Sequence, residues 1–172
     1  MSFANAALQI KKLKITNFRK FESYSIEFDR QLTVLVGDNG TGKSTLIDAT
    51  CIALGTLFQK IQNAEAPGIV PDDSRGAVIK QGDMFDIQFQ YPVSVEASGI
   101  SQGEEVSWLR SLKSAKGRTT QADAGRMIDA GEHLQELVGK GDEVVLPVLA
   151  RYGTDRLWKQ TASKEIATPN RT

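Results

Sequence analysis

The sequence predicts an α/β lobe, and three observations carry that expectation. A short, wholly apolar run, LTVLV at 32–36, leads into a glycine-rich turn and then into a helical pattern. Such a run suits a strand buried on both faces, as in a core sheet. Alternating apolar and polar segments stand before and after this unit, as in strands with one wet face. A second apolar run, 144–150, reads as another core strand. The expected architecture is a core sheet shared by 32–36 and 144–150, a helix packed across it, and a flanking antiparallel β-sheet from the early and middle strands.

Each element has its own signal. Leu8, Ile10, Leu13 and Ile15 sit among lysines as a half-exposed strand with one break in alternation. The NFRK turn at 17–20 comes next, and Tyr24, Ile26 and Phe28 alternate with polar residues in a second strand, antiparallel to the first. After the glycine-rich turn, Ile47, Cys51, Leu54, Phe58 and Ile61 recur at helical steps and predict one apolar stripe. Residues 62–76, with Pro67, Gly68, Pro71 and Gly76, read as a mobile surface loop. Strand patterns resume at 77–80, 84–91, 93–97 and 105–113. A basic turn at 113–120 precedes a helix over 121–138 with Met127, Ile128, Leu134, Leu137 and Val138 on one side.

Composition narrows the classes. The chain has 172 residues, a length suited to one domain, with 21 Lys+Arg against 21 Asp+Glu. A net charge of +0 excludes a protein that coats nucleic acid by bulk charge, and equally an acidic solvating tail. The one cysteine, Cys51, excludes an internal disulfide and a CxxC-type zinc site. No apolar run approaches the roughly 20 residues of a membrane span, and MSFANAALQI has no basic segment leading into an apolar one. The expectation is a cytoplasmic protein with no membrane partner.

The chemistry lies in Gly37, Asp38, Asn39, Gly40, Thr41, Gly42, Lys43, Ser44 and Thr45, which fit G-x-x-x-x-G-K-[ST] between a predicted strand and a predicted helix. Glycines let successive N–H groups face one concavity, and the helix N-terminus adds partial positive charge. Lys43 is placed for the β- and γ-phosphates of ATP and is the candidate catalytic residue. The Ser44 hydroxyl is the candidate Mg²⁺ ligand, and Thr45 can donate to the α-phosphate.

With I-x-N-F-R-x-F at 15–21, I-E-F at 26–28 and G-D-N-G-T-G-K-S-T-L-I-D-A at 37–49, the chain resembles the amino-terminal lobe of ABC-type ATPases of the RecF/SMC branch. That branch includes double-strand-break repair ATPases, OLD-type proteins and PtuA-like ATPases of anti-phage systems. The L-P-V-L-A-R-Y-G-T-D-R-L-W segment at 146–158 looks closest to the PtuA-like kind. The resemblance implies an α/β P-loop NTPase fold that binds ATP and Mg²⁺ and hydrolyses ATP in the intact protein. Two copies would sandwich nucleotide between them, coupling ATP-driven dimerisation to DNA repair or to phage defence with an associated nuclease.

The resemblance also brings the first hairpin loop near the nucleotide base, which makes Phe18, Arg19 and Lys20 candidates. A γ-phosphate-sensing glutamine is implied after the 144–150 strand, where Tyr152, Gly153 and Thr154 stand instead and Gln160 lies further on. No apolar run ends in Asp-Glu, no Ser-Gly-Gly signature occurs, and His133 precedes the 144–150 strand, the wrong order for a switch histidine. The expectation is therefore residues 1–172 as the N-terminal part of an ATPase domain whose C-terminal half is absent, able to bind ATP but not to turn it over.

Other readings attach to single features. A kinase or other phosphotransferase would need lid arginines, for which Arg110 and Arg118 are the candidates; further readings are a nucleotide-binding module without turnover and a nucleotide-independent interaction module with a decayed loop. Asp48, four residues after Ser44, is either a pocket residue or an exposed helix carboxylate. Cys51 reads as a small core residue, His133 as a solvent-facing residue, and Trp108 and Trp158 as packing or interface groups. Lys113, Lys116 and Arg118 read as a solvated turn, with DNA phosphate contact as the alternative.

Overall fold

The computed structural model describes the backbone of Ala4–Asn5, residues 8–81 and residues 84–153. Its centre is a four-stranded antiparallel sheet of β2 (Leu8–Phe18), β3 (Phe21–Glu27), β6 (Val93–Ser101) and β7 (Glu104–Leu112), in the order β3-β2-β6-β7. Alternation dictates which side is dry. On β6, Val93, Val95 and Ala97 point inward, and on β7, Val106, Trp108, Arg110 and Leu112 do. Register aligns these residues in rows: Ile26, Leu13, Ala97 and Trp108 in one, Tyr24, Ile15, Val95 and Arg110 in the next. The break in alternation on β2 is a bulge between Ile10 and Lys12, which puts Leu13 and Ile15 on the buried face.

Two helices cover the dry face. α1 (Lys43–Gly55) lays Leu46, Ala49, Ile52 and Ala53 on the sheet, and α2 (Gly125–Lys140) adds Met127, Ile128 and Leu134. Gly131 lets α2 meet the 3₁₀ turn Thr56–Phe58, since a Cβ there would lie 1.8 Å from the Leu57 carbonyl oxygen. The C-terminal end of α1 carries no basic residue of its own and receives donors from β7. The Trp108 indole N–H donates to the Ala53 carbonyl (2.9 Å). Arg110 donates to the Thr120 carbonyl (3.0 Å) and to the Thr56 hydroxyl (3.3 Å). Burial lowers the Arg110 pKa, and the negative end of the helix dipole offsets part of that cost.

The remaining strands form two small sheets. β4 (Arg75–Gln81) and β5 (Met84–Gln90) make an antiparallel ribbon. β1 (Ala4–Asn5) pairs in parallel with β8 (Val144–Val145). The mixed α/β lobe with an antiparallel sheet beside the α1 helix is the predicted fold class.

Several details differ from the sequence reading. Residues 32–36 form no strand, and Leu32, Val34 and Val36 are exposed. The second core strand is reduced to Val144–Val145 and pairs with Ala4–Asn5, not with 32–36. A run buried on both faces needs neighbours on both sides, and among the described residues 32–36 has no ladder partner. The α1 stripe is rotated, because the close approach to β6 and β7 selects the side with Ala49 and Ala53. Ile47 is exposed, and Cys51 and Leu54 are half-buried. On α2, Gly131 replaces Val138 in the buried row. The segment 62–76 is not loose over its second half: Ile69, Asp73 and Ser74 are buried, and the Ile69 N–H and carbonyl both bond the Thr119 hydroxyl at 2.9 Å.

Candidate functional site

The site is built on the turn between residue 36 and α1. Gly40 (φ +79°) and Gly42 (φ +103°) adopt the left-handed region that glycine tolerates. Gly42 has a second constraint: a Cβ there would fall 2.5 Å from the Phe21 ring. Helix bonding begins with the Leu46 N–H on the Gly42 carbonyl (3.0 Å). The helix has no side-chain cap and no acidic residue in its first turn. Its leading N–H groups therefore face outward with no carboxylate competing for them.

Two ammonium groups rest on this loop. The Lys43 Nζ donates to the carbonyls of Gly37 (2.6 Å) and Asp38 (2.7 Å). Lys20, reaching across from the first hairpin, donates to the Gly40 carbonyl (2.6 Å). The Thr41 hydroxyl donates to the Asp38 carbonyl (2.8 Å) and holds the loop's curl. Neutral carbonyls are weaker partners for an ammonium than phosphate oxygens, so both lysines have a stronger acceptor to move to. Ser44 is exposed at the helix start, while Thr45 is buried.

A loop of this shape suits a polyphosphate with Mg²⁺. Among the described residues, no group of three or more His, Cys, Asp or Glu is arranged to hold a metal. The Ser44 hydroxyl with phosphate oxygens and water is the donor set this chain could offer Mg²⁺. Bound there, Mg²⁺–ATP would supply the anhydride and the charge neutralisation for phosphoryl chemistry. This chain's residues would bind and orient the phosphates. A cavity of about 1100 Å³ runs from Lys43 and Ser44 along Ile47, Cys51 and Leu54, with Leu8, Ile10 and Phe28 also in its wall.

The candidates on the first hairpin separate. Phe18 is fully buried in the core and does not face the loop. Arg19 (φ +51°) points along α1, where its guanidinium donates to Asp48 Oδ2 (2.6 Å) and Asp73 Oδ1 (2.9 Å). Partial burial opposes its charge, but the hydrogen bonds to both carboxylates outweigh that and raise its pKa. Asp48 is only 17% exposed and also pairs with Arg151, so it is not a free helix carboxylate. Asp73, 54 residues from Arg19, is the partner that periodicity and spacing missed. The one sequence hint was a carboxylate pair beside Pro71.

The other candidates fall outside the site. Arg110, weighed as a lid arginine, is 2% exposed beneath α1 and cannot serve a phosphotransferase lid, whereas Arg118, the other candidate, is exposed on its turn. Trp108 is a core residue, and His133 faces solvent. Lys113, Lys116 and Arg118 are exposed on their turn. Cys51 is half-buried, and burial pushes its thiol pKa up, with Arg151 opposing and Asp48 adding. Tyr152 and Gly153 lie beyond the short β8, whereas Thr154, Trp158 and Gln160 lie outside the described residues. No helix among the described residues is long and apolar enough to cross a membrane.

The DNA replication and repair protein RecF of Leptospira interrogans is 51% identical over 43 residues, which is 25% of this chain and 12% of that protein. The DNA double-strand break repair Rad50 ATPase of Pyrococcus abyssi is 28% identical over 111 residues, 64% of this chain and 12% of that protein. RecF of Geobacter metallireducens is 26% identical over 146 residues, 85% of this chain and 35% of that protein. The matched part thus spans 12% of the length of the first of these curated relatives. A solved SMC ATPase structure, from work on ATP-driven dimerization and DNA stimulated activation, superposes with a TM-score of 0.47 at 22% identity, over 73% of this chain and 80% of that one. The AAA domain family model matches residues 12–168, nearly the whole chain, and the chain belongs to that family.

Proposed function

We propose that this chain is the ATP-binding lobe of an ATPase of the RecF/SMC branch. The observation that carries the reading is the loop at 37–45. It joins left-handed Gly40 and Gly42, an uncapped helix N-terminus and Lys43 folded over the mouth. In this reading the N–H groups from Asn39 to Thr45 bind the phosphates, Gly37 and Asp38 shape the loop's entry, and Lys43 moves from its carbonyls to the β- and γ-phosphates. Ser44 holds Mg²⁺, and Lys20 flanks the nucleotide from the first hairpin, with Arg19 held behind it on Asp48 and Asp73. ATP contacts one state of the protein and not the other, which is what a switch requires.

The relatives' names, DNA replication and repair protein and DNA double-strand break repair ATPase, support a DNA-processing setting; a cytoplasmic location and self-association through bound nucleotide are part of the proposal. Within that branch the 146–158 segment favours the PtuA-like anti-phage members, with a nuclease as the effector. No apolar run ending in Asp-Glu and no Ser-Gly-Gly signature occurs in the sequence of 172 residues. We therefore expect the chain by itself to bind Mg–ATP and to hydrolyse it negligibly, with the carboxylates and signature supplied by further polypeptide. Calorimetric titration tests the reading: Mg–ATP binds the chain, and Lys43→Ala abolishes the signal. Equal binding by both proteins would refute it, and turnover that disappears with Lys43→Ala would refute the division of labour.

A further inference from the structure

We propose that Asp48 and Asp73 are positioning residues for the phosphate loop, acting through Arg19. The proposal rests on the nucleotide-binding reading above and adds a part to it. The first hairpin reverses at residues 17–20, where two non-glycine residues, Asn17 (φ +50°) and Arg19 (φ +51°), take left-handed backbone. That conformation disfavours L-residues and persists where surroundings impose it. Here the surroundings are specific. The Arg19 N–H donates to the Asp73 carbonyl (2.6 Å), its Nε to the Asp73 carboxylate, and its other arm to Asp48 on α1. Asp73 is 3% exposed and is fixed in turn by the Val70 N–H on its Oδ2 (3.0 Å). Arg151 takes the other oxygen of Asp48.

The clamp also fixes the two residues after Arg19. The Lys20 ammonium lies on the Gly40 carbonyl. Phe21 comes next, with its ring against the space at Gly42. Asp48 itself sits one helical turn beyond Ser44. The clamp therefore ties three pieces together: the hairpin tip, the helix that opens the loop, and the 3₁₀ turn Pro71–Asp73. Without it the tip keeps the Asn17 side-chain amide on the Pro92 carbonyl (3.1 Å) and the Phe18–Ser74 bridge but loses the side-chain hold on Arg19, and Lys20 and Phe21 lose their register on the loop. Arg19 is spent on the two carboxylates and acts as the keystone of this arrangement.

A double-mutant cycle tests this, read as the dissociation constant for Mg–ATP together with the melting temperature. Asp73→Asn keeps an acceptor for the Val70 N–H but gives up the charge that holds Arg19. It should weaken Mg–ATP binding by about five- to tenfold, and Lys20→Ala by a similar factor. The double variant should be no weaker than the worse single one, because Lys20 is already displaced when the clamp is open. A purely structural carboxylate would lower the melting temperature, leave the affinity of the folded protein unchanged, and let the two effects multiply; either result overturns the proposal. If Asp73→Asn does not fold, Asp48→Asn carries the same cycle. Failure of the unaltered chain to bind Mg–ATP removes the nucleotide reading and this proposal with it. Normal binding with independent, multiplying effects removes only the clamp.

Discussion

Replacing Gly42 with alanine separates two costs that this loop imposes on one residue. The first is backbone: at φ +103° an L-residue is disfavoured by about 1–2 kcal/mol. The second is space, because the new Cβ would meet the Phe21 ring at 2.5 and 2.6 Å and the Lys20 Cδ at 3.1 Å. Forcing a methyl into a packed contact of this kind costs about 1–3 kcal/mol more. Gly40→Ala is the internal control, since φ is +79° there and nothing lies within 4 Å of its Cβ. Gly40→Ala should therefore carry only the backbone cost, and the two variants should differ by about 1–3 kcal/mol. For a chain of this size each kcal/mol moves the melting temperature by about 2–4 °C. The assay is thermal unfolding of both variants, each with and without Mg–ATP. Phe21→Ala in the Gly42→Ala background should recover the steric part and not the backbone part. Equal melting temperatures for Gly40→Ala and Gly42→Ala, or no relief from Phe21→Ala, would refute the claim that the hairpin is seated directly under the loop.

Other perturbations read different parts of the structure. Gly131→Ala must push α2 off the Leu57 carbonyl, now 1.8 Å from the built Cβ, and should cost about 2–3 kcal/mol in denaturant unfolding; a neutral result would show that α2 sits further out. Trp108→Ala should cost about 3–5 kcal/mol, and Trp108→Phe less, with the Ala53 carbonyl losing its donor; urea midpoints decide between them. The Cys51 thiol is held above its ordinary pKa by burial, so its thiolate fraction at neutral pH is below that of a free cysteine. Alkylation should be slow at pH 7 and accelerate into the alkaline range, and a rate at pH 7 matching a small-molecule thiol would contradict the packing described for α1.

The parts legible in the sequence were those written in local pattern. Alternation located β2, β3, β6 and β7, and its single break on β2 is the bulge between Ile10 and Lys12. The shape of the loop was readable because its left-handed glycines and the helix that opens at Lys43 are written in spacing alone. Three features were not readable, each for a physical reason. The run at 32–36 advertises the capacity to be buried on both faces, but says nothing about which strands would flank it. α1 is apolar on more than one side, and the choice of Leu46, Ala49, Ile52 and Ala53 over Ile47, Cys51 and Leu54 is made by the approach distance to the sheet. The Arg19–Asp73 pair spans 54 residues and belongs to no periodicity. Its existence depends on where the β2–β3 hairpin reverses and where β4 begins.

The most direct measurement is a crystal structure of the chain grown with Mg²⁺ and a non-hydrolysable ATP analogue. The account predicts the triphosphate inside the curl from Asn39 to Thr45, with the Lys43 ammonium released from the Gly37 and Asp38 carbonyls onto phosphate oxygens and Ser44 on the metal. Nucleotide bound elsewhere, or Lys43 still seated on those two carbonyls beside an empty loop at saturating analogue, would contradict it.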